Sequence, residues 1–76
     1  MPYLANVDLP LSLRRRLPEH AQDIYRSAFN NAWERYGDGG AERREEIAHR
    51  VAWSAVKKRY RKVDGAWIPR TVAAPA

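Results

Sequence analysis

Two apolar-periodic stretches on either side of a glycine-rich turn constrain this chain more than any other feature. Ala21, Ile24, Tyr25, Ala28, Phe29, Ala32, Trp33 and Tyr36 recur at steps of three and four, which lines one face of a helix. Gly37 stops that helix, and Gly37-Asp38-Gly39-Gly40 reads as a turn. Ile47, Ala48, Val51, Ala52, Ala55 and Val56 then line a second long helix, predicted from Ala41 to about Arg61. His49, Trp53 and Tyr60 widen its apolar face on one side, so it must pack against more than one neighbour. A turn this short folds the second helix back on the first as an αα-hairpin.

The flanks complete the fold class. Asp8-Leu9-Pro10 reads as a helix start, with an acid near the cap and proline in the first turn. The short helix through Leu11, Leu13 and Leu17 must end near Leu17, because Pro18 disfavours helical geometry before it. Pro18 then opens the first long helix. Lys62 to Ile68 reads as a tight β-hairpin, since Asp64-Gly65 favours a type I′ turn. A lone hairpin is marginal in water, and Tyr3-Leu4-Ala5 is the available third strand. The expected class is α+β, mainly α: three helices, one short and two long, plus a small sheet from the N-terminus and the C-terminal hairpin. Residues 1–70 are expected to form one domain. Residues 71–76 have little to bury and read as a flexible C-terminal tail.

A 76-residue chain has a thin core. It has no cysteine, so no disulfide or thiolate site braces it. Three Trp, four Tyr and one Phe must supply much of the burial. No apolar run approaches the ~20 residues of a membrane span, and no signal-peptide pattern opens the sequence. The expectation is a cytoplasmic protein with no stable membrane insertion.

Charge is distributed unevenly. The formal net charge is +5. Ala41 to Lys62 carries eight Lys and Arg against three Glu, and the remaining residues balance six of each sign. Confinement of the imbalance to one element points to a polyanionic partner. At about 100° per residue, Arg43, Arg50, Lys57 and Arg61 project within roughly 40° of one another. Lys58 and Ser54 lie beside them, and Arg14, Arg15 and Arg16 extend the patch if the short helix packs nearby. Four cations in a row can track phosphates. Trp53 borders the stripe and could stack on a base. The plainer alternatives are a solvated helix face, charges ordered to suit the helix dipole, and a packing role for Trp53.

Other constellations carry less. His20, Asp23 and Ser27 share a helix face, but a triad also needs a buried carboxylate and an oxyanion hole. Glu46 and His49 have Glu-x-x-His spacing, which two-metal bundles use in pairs, and here there is one copy. Gly39-Gly40 lacks the Gly-Lys-Ser/Thr pattern of a phosphate loop. No catalytic residue, metal ligand or cofactor is expected.

One family shares these residues. Met1-Pro2-Tyr3 with the two Leu-Pro steps, His20-Ala21-Gln22-Asp23-Ile24-Tyr25, Ala28-Phe29-Asn30 and Ala32-Trp33 resemble the ChaB family. So do Glu46-Ile47-Ala48-His49, Val51-Ala52-Trp53-Ser54-Ala55-Val56-Lys57 and Tyr60. The resemblance runs from Met1 to about Trp67. It implies three helices with a small sheet, similar to a cyclin box. It also implies one of two roles. The family is described as cation-transport regulators, after an association with a sodium/calcium–proton antiporter, and it has relatives regarded as DNA-binding. Family members can carry a longer, highly charged segment between the long helices. Here only Asp38 is acidic before Glu42, too few oxygens for a calcium site.

The sequence therefore leads to a small non-enzymatic binding or regulatory protein. Its first expected partner is duplex DNA or another polyanion, held through phosphates by the basic helix face. The alternative is a regulator of a cation/proton antiporter, acting by protein–protein contact. Attachment to an anionic membrane surface is a third option. It would need exposed bulky apolar residues beside the cations, a part for which Trp53 is the candidate.

Overall fold

A computed structural model describes residues 3–37 and 40–70. A 3₁₀ turn over Asn6–Asp8 leads into α1 (Leu11–Arg16), α2 (Glu19–Arg35), α3 (Ala41–Arg59), β1 (Tyr60–Val63) and β2 (Ala66–Pro69). The mainly helical class expected from the sequence is the class observed. Met1, Pro2, Asp38, Gly39 and the expected tail at 71–76 lie outside the described residues.

Both Leu-Pro steps act in the same way. Leu9 and Leu17 are extended, as residues before proline tend to be, and both are buried. Pro10 and Pro18 then sit at the N-caps of α1 and α2. Between them α1 buries Leu13. The Gln22 carboxamide donates to the carbonyls of Leu17 at 2.9 Å and Arg14 at 3.3 Å, which satisfies the end of α1.

The core is the α2–α3 seam. α2 contributes Ala21, Tyr25, Phe29 and Ala32, and α3 contributes Ala48, Ala52 and Val56. Large rings on one helix meet small residues on the other, so the helices interlock without overpacking. Apart from the tyrosines, no polar or charged side chain is buried among the described residues. Gly40 caps α3 with φ 83°, a conformation that favours glycine. Where the apolar periodicity predicts Val51 and Ala55 in this seam, the structure turns Val51 outward, at 37% exposure, and leaves Ala55 half-buried.

The β-hairpin has the predicted turn. Asp64 and Gly65 both have positive φ, at 49° and 82°, as a type I′ turn requires. β1 and β2 pair antiparallel, with Tyr60 opposite Pro69 and Lys62 opposite Trp67. This register takes up Tyr60, so α3 ends at Arg59 rather than near Arg61. Tyr60 is buried, and Trp67 packs on Trp53 with ring centroids 5.6 Å apart.

The sheet departs from expectation at the N-terminus. It has two strands among the described residues, and Tyr3-Leu4-Ala5 does not pair with it. The Tyr3 backbone is held by a side chain instead. Its N–H donates to Asn30 Oδ1 and its carbonyl accepts from Asn30 Nδ2, both at 2.8 Å. The carboxamide of Asn30 thus does what a neighbouring strand's peptide group would do. The Tyr3 ring lies 4.8 Å from Phe29. The hairpin takes its support from Trp53 and needs no third strand.

Candidate interaction surface

The basic stripe is split. Arg43, Arg50, Lys57 and Lys58 are exposed on α3. Arg61 is exposed on β1, beyond the helix end, so helical spacing no longer aligns it with the other three. The change from helix to strand at Tyr60 is the physical reason. Arg50 is bridged to Glu46 one turn earlier, at 3.1 Å. Of the proposed extension, Arg14 donates its Nε–H to the Leu9 carbonyl at 3.2 Å, while Arg15 and Arg16 are exposed.

Trp53 is half-buried, set edge-on to Tyr25 at 5.3 Å and against Trp67. Packing accounts for it. The large apolar residues most open to solvent are elsewhere: Leu4 at 91%, with Val7 and Leu11 also exposed. For a membrane-facing role, Trp53 is therefore replaced by these N-terminal side chains. No helix among the described residues is long and apolar enough to cross a membrane.

Members of the minor constellations are engaged by other partners. Asp23 accepts from the Asn6 carboxamide at 2.5 Å and lies 3.8 Å from Arg26. The His20 ring approaches Tyr60 at 6.3 Å. Glu46 turns to Arg50, whereas His49 reaches Glu45 at 3.7 Å and shares a hydrogen bond between its Nδ1 and the Tyr25 hydroxyl. Burial, then the neighbouring Tyr3 and Glu45, hold the Tyr25 phenol well above its usual range. Burial and then Glu45 raise Tyr3 in the same way. No group of three or more His, Cys, Asp and Glu that could hold a metal occurs among the described residues.

A groove of about 740 Å³ runs between α2 and α3. Its floor is Ile24 and Ala28 from α2 with Val51 and Ala55 from α3. On the α3 side the rim carries Arg50, Ser54, Lys58 and Arg59. On the α2 side it carries His20, Asp23, Ser27 and Asn31. The helix-face residues singled out by sequence thus converge here, around apolar residues that the sequence assigns to the core.

The ChaB family model matches residues 9–70. This chain belongs to the ChaB family. A protein of Escherichia coli strain K12 named "Putative cation transport regulator ChaB" is 54% identical over 68 residues, covering 84% of this chain and 90% of that protein. A Shigella flexneri protein of the same name matches with the same identity and coverage. An NMR solution structure of a ChaB protein superposes with a TM-score of 0.82 at 48% identity, over 92% of this chain and 100% of that one.

Two residues of this ChaB member have positions that sequence reading did not assign. Arg44 lays its guanidinium 4.4 Å over the Trp33 ring and donates its Nε–H to the Trp33 carbonyl at 2.6 Å. It latches the start of α3 to the end of α2. Asn30 clamps Tyr3, as described above. Arg44 could have been suspected, because it follows the turn closely enough to face the end of α2. Asn30 gives no such signal, since its partner lies 27 positions away.

Proposed function

We propose that this ChaB-family chain is a non-enzymatic regulator that acts by contact with a partner protein, and that the partner belongs to a cation-transport system. The uncovered apolar floor of the α2–α3 groove carries the contact reading. Phosphates are bound by cations and backbone donors and gain nothing from Ile24 or Val51. A protein surface gains from burying both. The name of the relatives supports the class of partner.

The test is transport itself. Cation/proton exchange is measured in everted membrane vesicles from cells that do not make the protein, with and without the purified chain. A saturable change in exchange rate is the expected result. An unchanged rate at every protein concentration overturns the reading.

A second reading keeps duplex DNA as partner, and one observation favours it. Lys57, Lys58, Arg59, Arg61 and Lys62 are all exposed, at the end of α3 and on β1. A titration at two salt concentrations decides it. Phosphate binding by Arg43, Arg50 and Lys57, the three stripe residues that stay on α3, predicts a slope of log K on log salt of about −2 to −3. Replacing Arg50 and Lys57 by Gln shrinks that slope by roughly 2. No binding at low salt ends this reading.

A further inference from the structure

We propose that the α2–α3 groove receives an amphipathic helix of a partner protein, with Glu or Asp flanking its apolar face. The inference rests on the protein-contact reading above and adds the chemistry of the partner. The first ground is the contrast between the two flanks of the helical hairpin. On one flank Tyr3 covers Phe29 and Trp67 covers Trp53. On the other, no side chain among the described residues closes over Ile24, Ala28, Val51 and Ala55, and the groove stays open.

The second ground is shape. The groove walls are helix faces whose backbone groups are bonded within each helix, so no strand edge is on offer. What can be recognised is a side-chain pattern. Ala28 and Ala55 leave room for large apolar side chains, while Ile24 and Val51 supply surface beside them. From His20 to Asn31 the groove follows α2 for about 16 Å, which matches about three turns of a docked helix. Such a helix presents apolar anchors at i, i+4 and i+7.

The third ground is charge. Lys58 and Arg59 have no ion-pair partner among the described residues, and they stand on the α3 rim. Arg50 joins them, held only by an exposed pair with Glu46 that a new carboxylate can exchange. On the α2 rim the one carboxylate, Asp23, is already engaged by Asn6 and Arg26. The rim as a whole is cationic, so its complement is acidic. A second copy of this chain would bring the same cations to the same rim.

The probe is a synthetic helical peptide of about fifteen residues with Leu at the three anchors and Glu on both flanks, beside a sister peptide with Lys on the flanks. Each is titrated into the full chain and followed by amide NMR shifts. The expected result is saturable binding of the Glu peptide, with shifts centred on Ile24, Ala28, Val51 and Ala55. The Lys peptide should bind at least about tenfold more weakly. Reversing the rim with Lys58→Glu and Arg59→Glu should invert that preference. Val51→Glu should weaken the Glu peptide by at least about tenfold, with an unchanged thermal midpoint to show that the fold is intact.

No binding by the Glu peptide overturns the proposal. So do shifts centred on Trp53 or Leu4, or a preference that ignores the rim reversal. Sedimentation showing a dimer that Val51→Glu dissociates would assign the groove to a second copy, and duplex DNA displacing the Glu peptide would assign it to a polyanion. Either result also overturns it. The vesicle assay separates the two levels. If the wild-type chain changes transport and Val51→Glu changes it equally, the groove fails and the regulatory reading stands. If the wild-type chain has no effect while the Glu peptide binds as described, the regulatory reading fails and the groove stands.

Discussion

The two flanks of the α2–α3 hairpin are built from similar material and finished differently. Both present aliphatic or aromatic residues at the edge of a seam centred on Phe29 and Ala52. On one flank the N-terminal segment and the hairpin return to the helices and cover it. On the other, Val51 and Ala55 are left beside solvent under a cationic rim. A helix has one apolar stripe but two margins, and the described residues close one of them. What distinguishes a packing residue from a surface residue here is which margin it borders, not its chemical type.

The comparison can be broken most severely at the centre. Phe29→Ala removes the ring that both flanks rest on and should cost about 3–5 kcal/mol, enough to unfold much of a domain this small. A denaturant titration measures it, and a midpoint that barely moves would place Phe29 outside the core. The covered flank should be next in sensitivity. Gly65→Val forces a β-branched residue into positive φ and should cost about 1–3 kcal/mol, with Trp53 fluorescence reporting loosened Trp67 packing. Asn30→Ala removes both bonds to Tyr3 and should cost about 1–2 kcal/mol, lowering the thermal midpoint and freeing the Tyr3 amide to exchange.

A gentler test uses pH. The folded pKa of Tyr25 is raised, so the native state holds the phenolic proton more tightly than the unfolded chain does. That contribution to stability is complete below the usual phenol value of 10.0 and is lost as pH rises above it. Thermal melts at increasing alkalinity should fall, and Tyr25→Phe should flatten the decline. The open flank should respond least. Val51→Glu should change stability by no more than about 0.5 kcal/mol, because its side chain already borders solvent. A large loss there would erase the difference between the flanks.

The sequence made the helical hairpin plain, because periodicity at Tyr25, Phe29, Ala48 and Ala52 and the prolines at 10 and 18 act locally. The turn at Asp64-Gly65 was equally plain, since positive φ has a short-range residue code. The details that escaped depend on what meets what at long range. Whether Val51 is core depends on how far the hairpin wraps the helices. The third strand was a reasonable demand of an exposed hairpin, but Trp67 on Trp53 removed the demand. Arg61 left the stripe because strand register, set by pairing with Ile68, overrode helical continuity. The groove's members were visible singly, as His20, Ser27, Arg50 and Ser54, yet nothing local says that two helix margins face each other.

The junction between Arg59 and Tyr60 has a consequence for how this domain can vary. Tyr60 closes α3 as its C-cap and opens β1 with no residue between them, and the Arg70 N–H donates to the Arg59 carbonyl at 2.8 Å across the join. Helix and hairpin are therefore welded in one angular phase. One residue inserted there would turn the hairpin by about 100° about the helix axis and carry Trp67 away from Trp53. The same insertion between the end of α2 and the start of α3 would leave both helix phases alone. Chains descended from a common ancestor should accordingly differ in length between α2 and α3 and keep the Arg59–Tyr60 spacing fixed.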